Sequence, residues 1–372
     1  LANGRRIPCL AGKSPYYSLM RFFSLLACLW LAAGAAFAAD AVPAAFYFPV
    51  LPAGAPKESA PQWVPLASTM RLDGAHAGVT RAIVVIHDET RDATAAMTTM
   101  AALAGEQNAS TIIVAPQFLL PSDIVRFADQ LPGRGKAFAA WQVTGWSKGD
   151  ESMPVSGRRS VSSFAVVDLL LMILSDKSLF PDLNTLAVAG FGGGANFVQR
   201  YAAFNPADDV LEKQNIGIRY VVAGAGNFLY LTPSRFLGGR KGFGVPEAPD
   251  CPAYNAYPYG LEKLGDYARR RGANAAKVDY TSRLITYLSA KAPDPFPESD
   301  CAALLQGLTS AERAERFRVY LQSVYGDHAG RTQVFAVAKE DKNDAATLFG
   351  SPCGITALFG DGACLASYGR VQ

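Results

Sequence analysis

Apolar residues along this chain gather in short continuous runs, and stretches of helical period lie between them. Arg81–His87 (RAIVVIH) and Thr111–Ala115 (TIIVA) are apolar without alternation, as strands buried on both faces of a sheet must be. Thr185–Ala189 and Ile216–Val222 repeat the pattern, Phe46–Leu51 is strand-like, Leu284–Leu288 is weaker, and Arg331–Val337 is the last. Between them, Ala93–Leu103 reads as a helix. So does Ser160–Asp176, with Phe164, Val167, Leu170 and Leu171 on one face, and so does Asn196–Phe204. Strands alternating with helices at this spacing predict an α/β fold with a mostly parallel sheet and helices on both faces. Trp141–Met153 is polar and reads as loop. Residues 227–262 break the rhythm with crowded Gly, Pro and Tyr, and read as a long excursion or cap. No internal repeat or linker divides the chain, so residues 39–372 are expected to form a single domain.

The amino terminus has a different character. Met20-Arg21, an apolar run and Ala36-Phe37-Ala38 form the basic start, hydrophobic core and small-residue end of a secretory signal peptide. The run is shorter than the roughly 20 apolar residues of a membrane span. The first residue is Leu, so residues 1–19 read as an upstream extension and residues 1–38 as extension plus leader. A lipoprotein signal through Cys28 is the alternative. Removing Arg5, Arg6, Lys13 and Arg21 with the leader leaves 31 basic against 32 acidic residues, whereas the full chain carries a formal charge of +3. Such a near-neutral chain has no electrostatic footprint for nucleic acid or anionic membranes. A periplasmic or secreted location follows, with no membrane association once the leader is cut.

Four cysteines remain beyond the leader: Cys251, Cys301, Cys353 and Cys364. An even number in an exported chain favours disulfides. Of the three connectivities, Cys353–Cys364 is favoured by proximity within a glycine-rich segment, which leaves Cys251–Cys301. With no C-x-x-C pair and three histidines, neither a structural nor a catalytic metal site is expected. Asp150-Glu151, Asp208-Asp209 and Glu340-Asp341 read as solvated charge pairs. Tyr254, Tyr257 and Tyr259 could line an apolar pocket, stack on sugar rings or pack the excursion down.

The chemistry centres on Leu183–Gln199, LNTLAVAGFGGGANFVQ, a strand, a sharp glycine turn and a helix. That is the layout of the nucleophile elbow, G-x-S-x-G, but here Gly192 stands at the nucleophile position and has no atom with which to attack. Gly190, Gly192 and Ala195 also fit a dinucleotide fingerprint. However, the next strand ends Val222-Ala223-Gly224-Ala225-Gly226-Asn227 without the acid that would hold a ribose, so no cofactor is expected.

Taken together, VVIHDETRDA (Val84–Ala93), IIVAPQF (Ile112–Phe118), GGANFVQRYAAF, CPAYNAYPYGL (Cys251–Leu261), YLQSVYG (Tyr320–Gly326) and NDAATLFGSPCG (Asn343–Gly354) resemble a secreted branch of the α/β-hydrolase superfamily, over about residues 75–365. The resemblance implies serine at the elbow and a histidine followed by Asp-Ala after the last strand. Here those positions hold Gly192 and Asn343. The acid is expected after the strand ending near Leu288, and Asp294 is the nearest candidate. Asparagine cannot take a proton near neutral pH, and loss of either Ser or His costs orders of magnitude in rate. His87 sits where relatives build an oxyanion hole and is expected to orient a loop, Asp88 beside it would repel an oxyanion, and Gly193 offers the best backbone donor. His76 reads as solvated and His328 as lying at the opposite end of the sheet. The expectation is a degenerate, non-catalytic hydrolase fold that binds a small apolar or ester-like ligand or a protein partner. An active carboxylesterase or lipase-like serine hydrolase using other residues is the alternative. Restoring the reaction would require both Gly192→Ser and Asn343→His.

Overall fold

The computed structural model describes residues 46–360 and 364, apart from 53, 57, 240–241, 292–299, 327–328, 330–331 and 341. The leader, Asp294 and His328 therefore lie outside the described residues. Within them, the continuous apolar runs become central strands. β1 (Phe46–Val50), β2 (Gln62–Ser68), β3 (Arg81–Ile86), β4 (Thr111–Pro116), β5 (Thr185–Phe191), β6 (Gly217–Ala223), β9 (Ile285–Ser289) and β10 (Gln333–Val337) form one sheet, while β7 (Arg235–Phe236) and β8 (Phe243–Gly244) pair as a separate small ribbon.

The order in the large sheet is β1-β2-β4-β3-β5-β6-β9-β10. From β4 to β10 every pairing is parallel, and β1 and β2 close one edge antiparallel. β5 is therefore central, between β3 and β6. Strand periodicity splits the core into two layers: Ala82, Val84 and Ile86 point into one cluster, and Ile83 and Val85 into the other. The first layer is covered by α2 (Ser163–Leu174), α3 (Gly193–Phe204) and α4 (Ser310–Tyr325), and the second by α1 (Ala93–Ala104), α5 (Ala345–Gly350) and α6 (Pro352–Phe359). Side-chain caps fix several helix starts. Asp92 accepts from Ala95 N, Ser162 from Phe164 N, and Asp344 from Thr347 N.

Residues 41–372 group as one compact unit. Composition hid β2 because QWVPLAS carries Pro65, a residue that argues against a strand inside a sheet. Pro65 lies just before the point, at Leu66, where pairing with β4 begins.

The excursion is tied to the fold at several points. Arg235, fully buried, donates to the carbonyls of Thr232, Ser234, Tyr254 and Tyr259, and lies 4.3 Å from the Tyr230 ring centroid. Cys251 is bonded to Cys301 and Cys353 to Cys364, with Cα separations of 5.9 and 4.4 Å. Tyr254 donates to Pro233 O, Tyr257 to Lys148 O and Tyr259 to Asp300. All three hydroxyls are thus engaged with protein groups. Among the described residues no helix is long and apolar enough to cross a membrane.

Candidate functional site

Parallel strands bring their carboxyl ends to one edge, where ligands bind in open α/β sheets. At that edge the chain turns from β5 into α3 through Gly192, which has φ 57° and ψ −119° and lies at the helix N-cap. Its N–H donates to Ala223 O on β6, and its carbonyl accepts from Asn196 N, the first turn of α3. Left-handed φ of this kind favours glycine. Close approach adds a second requirement two residues on, because a Cβ on Gly194 would collide with the backbone carbonyls of Ile86 and His87. The strand-to-helix turn is therefore built as tightly as a nucleophile elbow requires, and it carries no side chain at its apex.

The loop after β3 supplies what stands in that place. A Cβ on Gly192 would lie 2.8 Å from Glu89 Oε2 and 3.3 Å from Asp88 Cβ, and one on Gly193 would lie 2.8 Å from Glu89 Oε1 and 3.1 Å from the Trp146 ring. The Glu89 carboxylate thus lies against the backbone of Gly192 and Gly193 at the start of α3. Glu89 as a residue reaches solvent, yet its carboxylate is hemmed in by these groups. Desolvation raises its pKa, the nearby backbone N–H groups of Gly193 and of Glu89 itself oppose the shift, and the Asp88 charge adds to it. The group that sequence reasoning missed is Glu89. Its only signal was an acid pair, Asp88-Glu89, directly after a buried strand. Asp88 itself turns away, accepting from the N–H and hydroxyl of Thr90.

His87 is buried, 1% exposed. Phe118 N donates to its Nε2 at 3.0 Å, so the proton sits on Nδ1, which donates to Asp88 O at 2.9 Å. Burial pushes its pKa down to about 4, and it packs against Trp146, with ring centroids 4.8 Å apart. Both ring nitrogens are spent on backbone, so His87 positions the loops after β3 and β4 and has no free lone pair for a substrate proton. Next to Glu89, Arg91 is held by Asp123 in a paired contact of 3.0 and 3.1 Å.

Asn343 follows β10 and comes to the same edge. Its Oδ1 would lie 2.8 Å from a Cβ on Gly224, at the same distance as the ring of Phe191, the residue before Gly192. That oxygen is buried and no protein donor reaches it. It faces a cavity of about 10 Å³ lined by Gly224, Phe228, Tyr287 and Ser289 among others, with room for about one water. Asp344 caps α5 and serves the helix. His76 bonds the Arg71 carbonyl and stacks on Phe180, in the segments that lead into the opposite, amino-terminal ends of β3 and β5. No group of three or more His, Cys, Asp and Glu that could hold a metal occurs among the described residues.

No protein-family model matches the chain. No curated protein matches its sequence. Solved structures do match. LpqC, a poly(3-hydroxybutyrate) depolymerase from Bordetella parapertussis, is 17% identical over 81% of this chain and 88% of its own, with a TM-score of 0.52. Poly(aspartic acid) hydrolase-1 from Sphingomonas sp. KT-1 is 19% identical over 82% and 95%, with a TM-score of 0.49. At such identities the likeness concerns the fold alone, and the fold it gives, together with the eight-stranded, mostly parallel sheet, is that of the α/β-hydrolases.

Proposed function

We propose that this protein is an exported α/β-hydrolase-fold protein that does not hydrolyse esters and instead binds a small ligand or a partner through the cleft at the carboxyl edge of its sheet. The observation that carries the reading is the elbow. Its apex is Gly192, and the space beside Gly192 and Gly193 is taken by the carboxylate of Glu89. Hydrolysis by the serine route needs a nucleophile, a base and an oxyanion donor acting together. Gly192 offers no nucleophile, Asn343 offers no base, and His87 has both nitrogens committed. Phe191, half-buried beside Gly192, gives this edge an aromatic surface that suits an apolar or ester-like ligand. Two disulfides favour an oxidising compartment, in keeping with the leader in the sequence.

The test is labelling of the purified protein with a fluorophosphonate, alongside turnover of short p-nitrophenyl esters. The expected outcome is no serine adduct and no turnover above background. A stoichiometric adduct, or robust turnover that survives Gly192→Ala and Asn343→Ala, would overturn the reading and favour an active esterase with a different site.

A further inference from the structure

Away from the elbow, two helices leave a groove between matching stripes of the sequence. α2 presents Asp168, Leu171 and Met172, and the short helix Ala207–Lys213 presents Ala207, Val210 and Leu211, both at i, i+3, i+4 spacing. The two stripes line a cavity of about 640 Å³, a size that takes a small organic molecule. α3 parts this groove from the elbow. Gly193 opens that helix, and Pro206, in the groove wall, follows its end about 18 Å further on. We infer that the groove is a second binding site, for a small organic ammonium whose apolar body lies between the two helices and whose charge meets the Asp168 carboxylate. The inference stands apart from the reading of the elbow cleft.

Three observations support it. The first is an unmatched charge. Among the described residues Asp168 makes no ion pair, and its partners are the hydroxyls of Tyr201 and Tyr267, at 2.8 to 2.9 Å. Each hydroxyl has one proton, so two protons serve a group with about four acceptor sites. Arg270 lies over the Tyr267 ring, 4.9 Å from its centroid, and acts on Asp168 only through space. The second is the apolar surface. Leu171 and Leu211 are buried, whereas Met172 and Val210 stand 61% and 53% exposed across the groove, and an apolar ligand body would cover them. The third is the sign of the charge that fits. The other charged groups in the wall are already engaged: Lys177 donates to Leu183 O, and Asp176 accepts from the N–H and hydroxyl of Ser178. Asp168 is left to recognise a cation and to repel an anion. Burial raises its pKa to about 6, so recognition of a cation is complete above that pH and fades as pH falls through it.

The experiment uses the whole chain with ¹³C-labelled methionine methyls, hexylammonium as probe, and hexanol and hexanoate as controls. At neutral pH hexylammonium should shift the Met172 methyl and bind at least about tenfold more tightly than either control, the worth of one charge-assisted contact. Asp168→Asn should abolish that preference and leave hexanol binding as it was. In the wild type, the affinity for hexylammonium should drop several-fold between neutral pH and about pH 5, and that for hexanol should not. Should Asp168→Asn fail to fold, the pH comparison decides alone. Equal affinities for hexylammonium and hexanol, a preference that survives Asp168→Asn or acid pH, or a Met172 methyl that does not move would each overturn the inference.

Discussion

Gly192 and Asn343, the two positions we read as standing where a serine hydrolase carries its serine and histidine, meet around Gly224 on one sheet edge, and their surroundings differ. At Gly192 the space a side chain would take is filled by the Glu89 carboxylate. At Asn343 the side chain is present and its acceptor is not satisfied. Oδ1 is buried beside a slot for about one water, with no protein donor in reach. The first site is rebuilt and interlocked, and the second is merely tolerated. Substitution should therefore be costly at the elbow and cheap at Asn343.

The largest expected effect is at the elbow. Gly192→Ala should destabilise the fold by about 2–4 kcal/mol, from the left-handed φ and from collision with Glu89. Urea denaturation measures it, and Glu89→Ala in the same chain should return the steric share, so that a double-mutant cycle shows a coupling of about 1 kcal/mol or more. Strict additivity would mean that Glu89 does not occupy the space assigned to it.

An effect of similar size, confined to acid pH, comes from His87, the residue that holds the loop after β3. Its folded pKa, about 4, lies below the ordinary 6.5, so the unfolded chain binds the proton first. Its contribution is complete above pH 6.5 and is lost as pH falls towards 4, by about 3 kcal/mol. Asp168, held by the hydroxyls of Tyr201 and Tyr267, acts in the opposite sense. Burial raises its pKa to about 6, so it adds stability as pH falls through 6 towards 4. Stability measured between pH 7 and 4 should therefore fall less steeply in His87→Gln than in the wild type. Identical slopes would remove His87 from the account. The smallest effect is at Asn343, where Asn343→Val should change stability by less than about 1 kcal/mol in either direction, since it removes an acceptor without a protein partner. A loss of several kcal/mol there would erase the contrast between the two positions.

The sequence carried the frame of this picture further than its detail. Runs such as RAIVVIH and TIIVA could only be doubly buried strands, and β3 and β4 match them within a residue. The cysteine spacing matched both disulfides. β2 was hidden by Pro65, and β7 and β8 are two-residue strands, too short for any period to register. Gly192 was legible because a named pattern surrounds it. Glu89 was not, because an acid after a strand ordinarily faces water. What brings it onto Gly193 is the turn around Asp88 and Thr90, together with the packing of Trp146 against His87. Such an arrangement is set by tertiary contacts and leaves no local signature.

The contact between Gly192 and Glu89 also has a consequence for engineering. A serine placed at position 192 would meet a carboxylate in its own volume. A hydroxyl nucleophile built at this turn therefore needs a smaller residue at position 89 in the same step.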